Sequence, residues 1–235
     1  MRFLTLILAL TFVVGCGDTK KKPAPYGREA ALNLPGNRPT IWGVAPIVNI
    51  SGEDGVDPLV QADLLYQQLQ PVNGVTVVPV DRVVAVYQAL HIGQVQSEDQ
   101  AKAVCQALGL DGLLVATVTA YDPYNPPKFA VALQLFEPRH EKATSQISAQ
   151  ELAQQAAPSA GSNEPTKVNF VQVVGSYDCA NGSVRDRLKA YAAGRYDPNS
   201  PLAGAEYYLN MDRYCGFVYH ELLRQLFEQP QLSGK

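Results

Sequence analysis

Gly109-Leu-Asp-Gly-Leu-Leu-Val-Ala-Thr-Val-Thr-Ala-Tyr-Asp-Pro-Tyr-Asn-Pro-Pro-Lys-Phe-Ala-Val-Ala-Leu-Gln-Leu-Phe136 is the stretch that decides the fold. From Leu113 to Ala120 the chain is aliphatic and β-branched, with no charge, glycine or proline, which predicts a strand. Phe129, Val131, Leu133 and Leu135 then alternate with Ala130, Ala132, Gln134 and Phe136. That period of two puts the bulk on one face of a second strand. Between them lies Tyr121-Asp-Pro-Tyr-Asn-Pro-Pro127, where proline fixes φ and removes backbone donors. A hairpin with a stiff tip is expected at the centre of one sheet.

Working outward toward the N-terminus, Ile41 to Val48 predicts a strand that ends or reaches an edge at Pro46. Asn49-Ile-Ser-Gly-Glu-Asp-Gly55 is a polar turn, and Asp57-Pro58 offers an N-cap followed by proline at the first helical position. Leu59, Ala62, Leu65, Tyr66 and Leu69 share one helical face. Asn73-Gly74 turns the chain into a strand over Val75 to Val80. Asp81 then opens a short helix with Val83, Val86, Tyr87 and Leu90 as its stripe. Ser97-Glu-Asp-Gln100 has capping-box form and opens a third helix, which Gly109 stops. The expected order is β-α-β-α-α-β-β: an α/β fold with a mixed sheet of four to five strands and helices mainly on one face.

Toward the C-terminus, Arg139 to Lys167 turns to Ala, Ser, Gln, Glu and Pro and reads as a flexible insertion. Val168 to Val174 suits a fifth strand, Ser183 to Arg195 a helix, and Ala203 to Phe227 a long last helix. Thr19 to Pro39, with three lysines and four prolines, reads as a tether. The expected organisation is thus 1–15 export signal, 16–39 tether, 40–138 core, 139–167 insertion, and 168–235 completing the domain.

The 235-residue chain is 46% apolar and 17% charged, and its formal charge of −3 gives no electrostatic case for binding nucleic acid, which usually needs a basic face. His91, His140 and His220 have no partner at metal-ligand or catalytic spacing, and no Cys/His spacing marks a metal. Ser51-Gly-Glu-Asp-Gly55 lacks the spacing of a phosphate loop. No catalytic residue, cofactor or metal is therefore assigned, and an interaction protein is expected rather than an enzyme. A hydrolase or small-ligand-binding protein is the remaining class, to be revived by a deep pocket lined with perturbed acids or histidines.

Two aromatic groups are candidate partner contacts. On the hairpin tip these are Tyr121, Tyr124 and Asn125, a rigid amphipathic surface with little ordering cost. On the last helix they are Tyr207 and Tyr214, with Arg213 nearby. Packing against neighbouring elements is the alternative for both. Cys105 lies on an apolar stripe and reads as a small buried hydrophobe; Cys179 and Cys215 could bridge in an oxidising compartment or stay apart.

At the N-terminus, Met1-Arg2 precedes an apolar run from Phe3 to Val14 that closes on Val13-Val-Gly-Cys16. A run this short suits an export signal better than a membrane span. Val13 to Cys16 resembles the lipobox of bacterial lipoproteins; an ordinary secretory signal with a chance cysteine is the alternative. The resemblance implies cleavage before Cys16, acyl chains (palmitate among them) on Cys16, and membrane attachment through that residue. It also implies the outer membrane, because the retention position after the cysteine holds Gly17 and Asp18 comes one place late.

The core stretch from Ile41 to Phe136 resembles a second group. Gly43-Val-Ala-Pro-Ile-Val-Asn-Ile-Ser51, Val75-Thr-Val-Val-Pro79 and Leu108-Gly-Leu-Asp-Gly112 are similar to exported proteins sharing the fold of the TolB amino-terminal domain. LpoB-type activators of penicillin-binding proteins and the curli secretion lipoprotein CsgG belong to that group. The resemblance implies a periplasm-facing lipoprotein of the cell envelope that binds another envelope protein or associates with itself. An oligomeric subunit of a secretion or trafficking assembly is the alternative it implies. Membrane-spanning hairpins of the curli channel type are not found in the sequence.

Overall fold

In a computed structural model, residues 31–36, 39–138, 170–197 and 199–233 are described. One sheet organises them, in the order β3-β1-β4-β5-β6, with a short β2 alongside β4. The strands are β1 (Thr40–Val44), β2 (Val48–Asn49), β3 (Val75–Val78), β4 (Gly112–Asp122), β5 (Lys128–Phe136) and β6 (Phe170–Asp178). β1 pairs parallel with β3 and β4, and β4, β5 and β6 form an antiparallel meander. The mixed α/β sheet with the β4–β5 hairpin at its centre is the expected one.

Three details depart from expectation. The first strand breaks at Pro46, and the chain rejoins the sheet as β2, pairing Val48 with Thr117 and Asn49 with Val118. The last strand runs on to Asp178, because Gly175 and Tyr177 continue the register against Val131 and Phe129. A Cβ on Gly175 would meet the Tyr177 ring at 2.5 Å and Leu222 at 3.0 Å, so only glycine lets the strand pass there. The third departure lies in the last helix. The stretch from Ala203 to Phe227 is a 3₁₀ turn (Ala203–Ala205), a short α5 (Glu206–Leu209) and α6 (Met211–Phe227). Asn210 takes extended backbone (φ −109°, ψ 117°), and its side chain accepts from the Arg213 N–H at 3.1 Å. A side chain that caps a new helix competes with continuing the old one, which is why the helix divides here.

The remaining helices are α1 (Pro58–Leu69), α2 (Val80–Ala89), α3 (Glu98–Leu108), α4 (Gly182–Ala192) and α7 (Pro230–Ser233). Their ends follow the sequence. The Asp57 Oδ1 accepts from Leu59 N at 2.8 Å and Val60 N at 3.1 Å. Ser97 caps α3 through Gln100 N at 3.3 Å, and Gly109 closes it at φ 64°. Asp81 does not cap α2; the cap position falls two residues earlier, at Pro79, and Asp81 sits in the first turn.

Most helices cover one face. Ala62, Leu65 and Leu69 of α1 and Phe217, Tyr219, Leu222 and Leu226 of α6 pack on Leu114, Ala116, Val118, Phe129, Val131, Leu133 and Leu135. α2 and α3 form a smaller core on the other face, where Val83, Tyr87, Val104 and Cys105 meet Leu110, Leu113 and Phe136. The chain leaves β1 by one face for β3 and returns by the other to β4, so both crossovers have the same hand.

Candidate functional site

In open α/β sheets, ligands settle beyond the carboxyl ends of the strands where successive crossovers diverge. Here that point lies between β1 and β4, and the chain itself fills it. On either side of Pro46, the Ala45 N–H donates to Leu114 O at 2.9 Å and the Ile50 N–H to Val118 O at 2.9 Å, which holds β2 in the crevice. The turn beyond is self-contained. The Asn49 Oδ1 accepts from Ser51 N at 3.0 Å and Ser51 Oγ at 2.7 Å, while its Nδ2 donates to Glu53 O at 2.9 Å. Asn49-Ile-Ser-Gly52 is therefore an Asx turn with Gly52 at φ 82°, and its polar groups are spent within the turn.

Leu108 to Gly112, another of the stretches that carry the resemblance, has the same character. The Asp111 carboxylate accepts from Ile41 N at 2.8 Å, and the Asp111 N–H donates to Ile41 O at 2.7 Å. These bonds lock the start of β4 onto β1. A Cβ on Gly112 would meet Trp42 and Leu135 at 2.9 Å. Both stretches thus build the scaffold; neither forms a reactive cluster. Among the described residues no group of three His, Cys, Asp or Glu could hold a metal ion.

What projects at this end of the sheet is the hairpin tip. The Asp122 Oδ1 accepts from Tyr124 N at 3.0 Å, and Cys179 N donates to Pro127 O at 2.9 Å, which ties the tip to the turn after β6. Asn125–Pro126 is a cis peptide bond. Tyr124 stands 81% exposed, Asn125 is exposed, and Ile50 on the neighbouring turn is 63% exposed. Tyr121 differs: its ring meets Phe129 edge-on at 5.9 Å, and burial, then the nearby Cys215 and Asp212, push its hydroxyl up to about 12. Tyr121 packs, and Tyr124 presents.

The aromatic group near the last helix divides in the same way. Tyr214 is wholly buried, with its hydroxyl lacking a hydrogen-bond partner, so its candidacy as a surface contact is corrected: a ring inside the core cannot meet a partner. Tyr207 is also buried, edge-on to Tyr191 at 5.8 Å, and donates to Arg195 O at 3.3 Å. Around it Arg195 lies 4.0 Å over Tyr191, and Arg213 lies 5.3 Å over Tyr207 and 3.5 Å from Glu206. Tyr191, Arg195, Tyr207 and Arg213, with Gln67 and Gln68 of α1, wall a polar cleft of about 480 Å³. Sequence reading missed this cleft, because α1 and the 191–213 segment meet only in three dimensions.

Cys105, Cys179 and Cys215 are buried free thiols, and burial pushes Cys105 up to about 12. His220 packs against Tyr191 at 5.0 Å; burial, then Arg195, lower it to about 4, so it is a neutral packing residue. His91 sits at φ 54° in the turn after α2, and His140 and Cys16 lie outside the described residues. Among the described residues no helix is long and apolar enough to cross a membrane.

No family model matches the sequence, and no curated protein does. Solved structures do. The chain is similar to the C-terminal domain of LpoB from Salmonella enterica, with 12% identity, a TM-score of 0.39, and 61% of this chain and 85% of that one covered. It is also similar to the lipoprotein GNA1162 from Neisseria meningitidis, with 19% identity, a TM-score of 0.32, and 52% and 100% covered. A third is the PelC dodecamer from Paraburkholderia phytofirmans, with 10% identity, a TM-score of 0.38, and 84% and 94% covered. LpoB, the lipoprotein group that the core sequence resembles, is thus among the solved structures similar to this chain.

Proposed function

We propose that this protein is a non-catalytic interaction module of the bacterial cell envelope, anchored by acyl chains on Cys16 in the outer membrane and facing the periplasm. It works by contact with another envelope protein. The observation that carries the reading is the contrast at the strand ends: the crevice where a ligand would sit is filled by β2, while Tyr124 stands 81% exposed on a tip braced at both sides. An exposed aromatic on a braced tip loses little freedom on binding and has much to bury.

Photo-crosslinking in intact envelopes tests this. A photoreactive residue in place of Tyr124 is expected to capture a discrete protein partner, and one in place of exposed Lys102 on α3 is not. Equal capture from both positions, or none from Tyr124, sinks the tip as a contact.

Self-association, as in a secretion or trafficking assembly, is the second reading. β6 supports it: it is nine residues long, lies at the end of the sheet order, and leaves Phe170 and Val174 exposed. An unprotected strand edge is a template for a further strand.

A further inference from the structure

We propose that the corner made by α4 and residues 202–209 docks on an anionic lipid surface. Arg185 and Lys189 are exposed at i and i+4 on one side of α4. Between that helix and Tyr196, Ala205 and Tyr208 lies a cavity of about 270 Å³, floored by Leu188 and Ala192. The turn at Gly204 lies tight against Tyr196, since a Cβ there would stand 3.2 Å from its ring. Two cations therefore rim a small apolar hollow with a tyrosine on either side.

Next to the hollow, one eight-residue segment exposes Leu202 (53%), Tyr208 (38%) and Leu209 (54%). The large core is complete without any of them. Aliphatic side chains that enter the boundary between headgroup and acyl chain, tyrosines at headgroup level, and cations facing lipid phosphate are the three parts of an interfacial contact.

Charge decides in favour of anionic lipid. The whole chain carries −3, yet the residues lining the hollow include two cations and no carboxylate. Asp186 is 3.7 Å from Lys189, but both are largely exposed, and such pairs hold weakly in water. Glu206, on the apolar segment, is engaged with Arg213 at 3.5 Å. This contact is separate from the anchor proposed at Cys16, because it belongs to the folded body and would set how that body lies on the membrane.

The full chain, purified from envelopes, is incorporated into vesicles of phosphatidylcholine alone or of phosphatidylcholine and phosphatidylglycerol in equal parts. Flotation reports the anchor, and amide hydrogen exchange reports the corner. Amides of 202–209 are expected to exchange roughly fivefold to tenfold more slowly on the mixed vesicles than on the neutral ones. The double variant Arg185→Gln/Lys189→Gln should lose that slowing while still floating. Leu202→Ser/Leu209→Ser should lose it too, and both changes are at exposed positions where folding is not at stake. Equal exchange on the two vesicle types, or slowing that survives the double variant, overturns the proposal. Failure to float on neutral vesicles speaks against the anchor instead, and the difference between the two vesicle types still reads the corner.

Discussion

Gly112 shows how much one hydrogen in place of a methyl can decide. It is the first residue of β4, and the Trp42 indole and a Leu135 methyl crowd the position its side chain would take, all 2.9 Å away. Trp42 itself is packed at 6.0 Å against Phe227, so it has little room to give. Gly112→Ala should cost about 1–3 kcal/mol by overpacking, read as a lower urea midpoint with an unchanged slope; an unaltered midpoint would show that the indole moves freely. His220 argues a different point. Its folded value of about 4 lies below the ordinary 6.5, first because it is buried and then because Arg195 is close. The fold therefore favours neutral imidazole, and this share of stability is whole above pH 6.5 and lost as the pH falls toward 4. Because the ring is partly open to water, about 1–2 kcal/mol is the loss to expect after screening. His220→Gln should flatten the fall in stability between pH 6.5 and 4, followed by denaturant titrations at several pH values. A parallel fall in wild type and variant would mean that the ring gains its proton in the folded state.

At the scale of elements, what was legible in the sequence was what neighbours in the chain decide. The hairpin, the Asp57 and Ser97 caps, the Gly109 stop and the parallel-then-antiparallel order all rest on local pattern, and each stands where it was read. The break at Asn210 was locally visible too, but the apolar stripe runs through it and outweighs one polar residue in a periodicity count. The second helical layer was less legible, because a stripe tells that a helix buries a face and not which face of the sheet receives it. The candidate site was legible in half: Tyr124 is where an exposed tip residue should be, whereas Tyr214 lies on the buried side of a helix apolar on more than one stripe. β6 carries the testable consequence. Val174 is 62% exposed on the last strand of the sheet, so Val174→Lys changes the edge without touching the core. If the edge pairs with another copy, the lysine should drive the assembly to monomer by light scattering, since a charge on an edge blocks strand addition. A wild-type protein already monomeric at high concentration removes the edge from consideration.

Across the whole molecule the sheet separates two cores of unequal size, and their coupling determines whether the protein behaves as one unit. The larger holds the helices α1, α4 and α6 against β4, β5 and β6; the smaller holds α2 and α3 against Leu113 of β4 and Phe136 of β5. They meet through alternate residues of the same strand, Leu113 on one side and Leu114 on the other, so loosening one face withdraws support from the next. The chain carries a natural reporter for each. Trp42, its one tryptophan, is 1% exposed in the larger core, and Cys105 is 1% exposed in the smaller. Tryptophan fluorescence and the labelling of Cys105 in a variant with Cys179→Ala and Cys215→Ala should then give one urea midpoint, because coincident transitions mark a single cooperative unit. Labelling that runs ahead of the fluorescence change would show α2 and α3 opening on their own. In that case a partner bound at the tip would be held by the larger core alone, and the α2–α3 layer would be free to move beneath it.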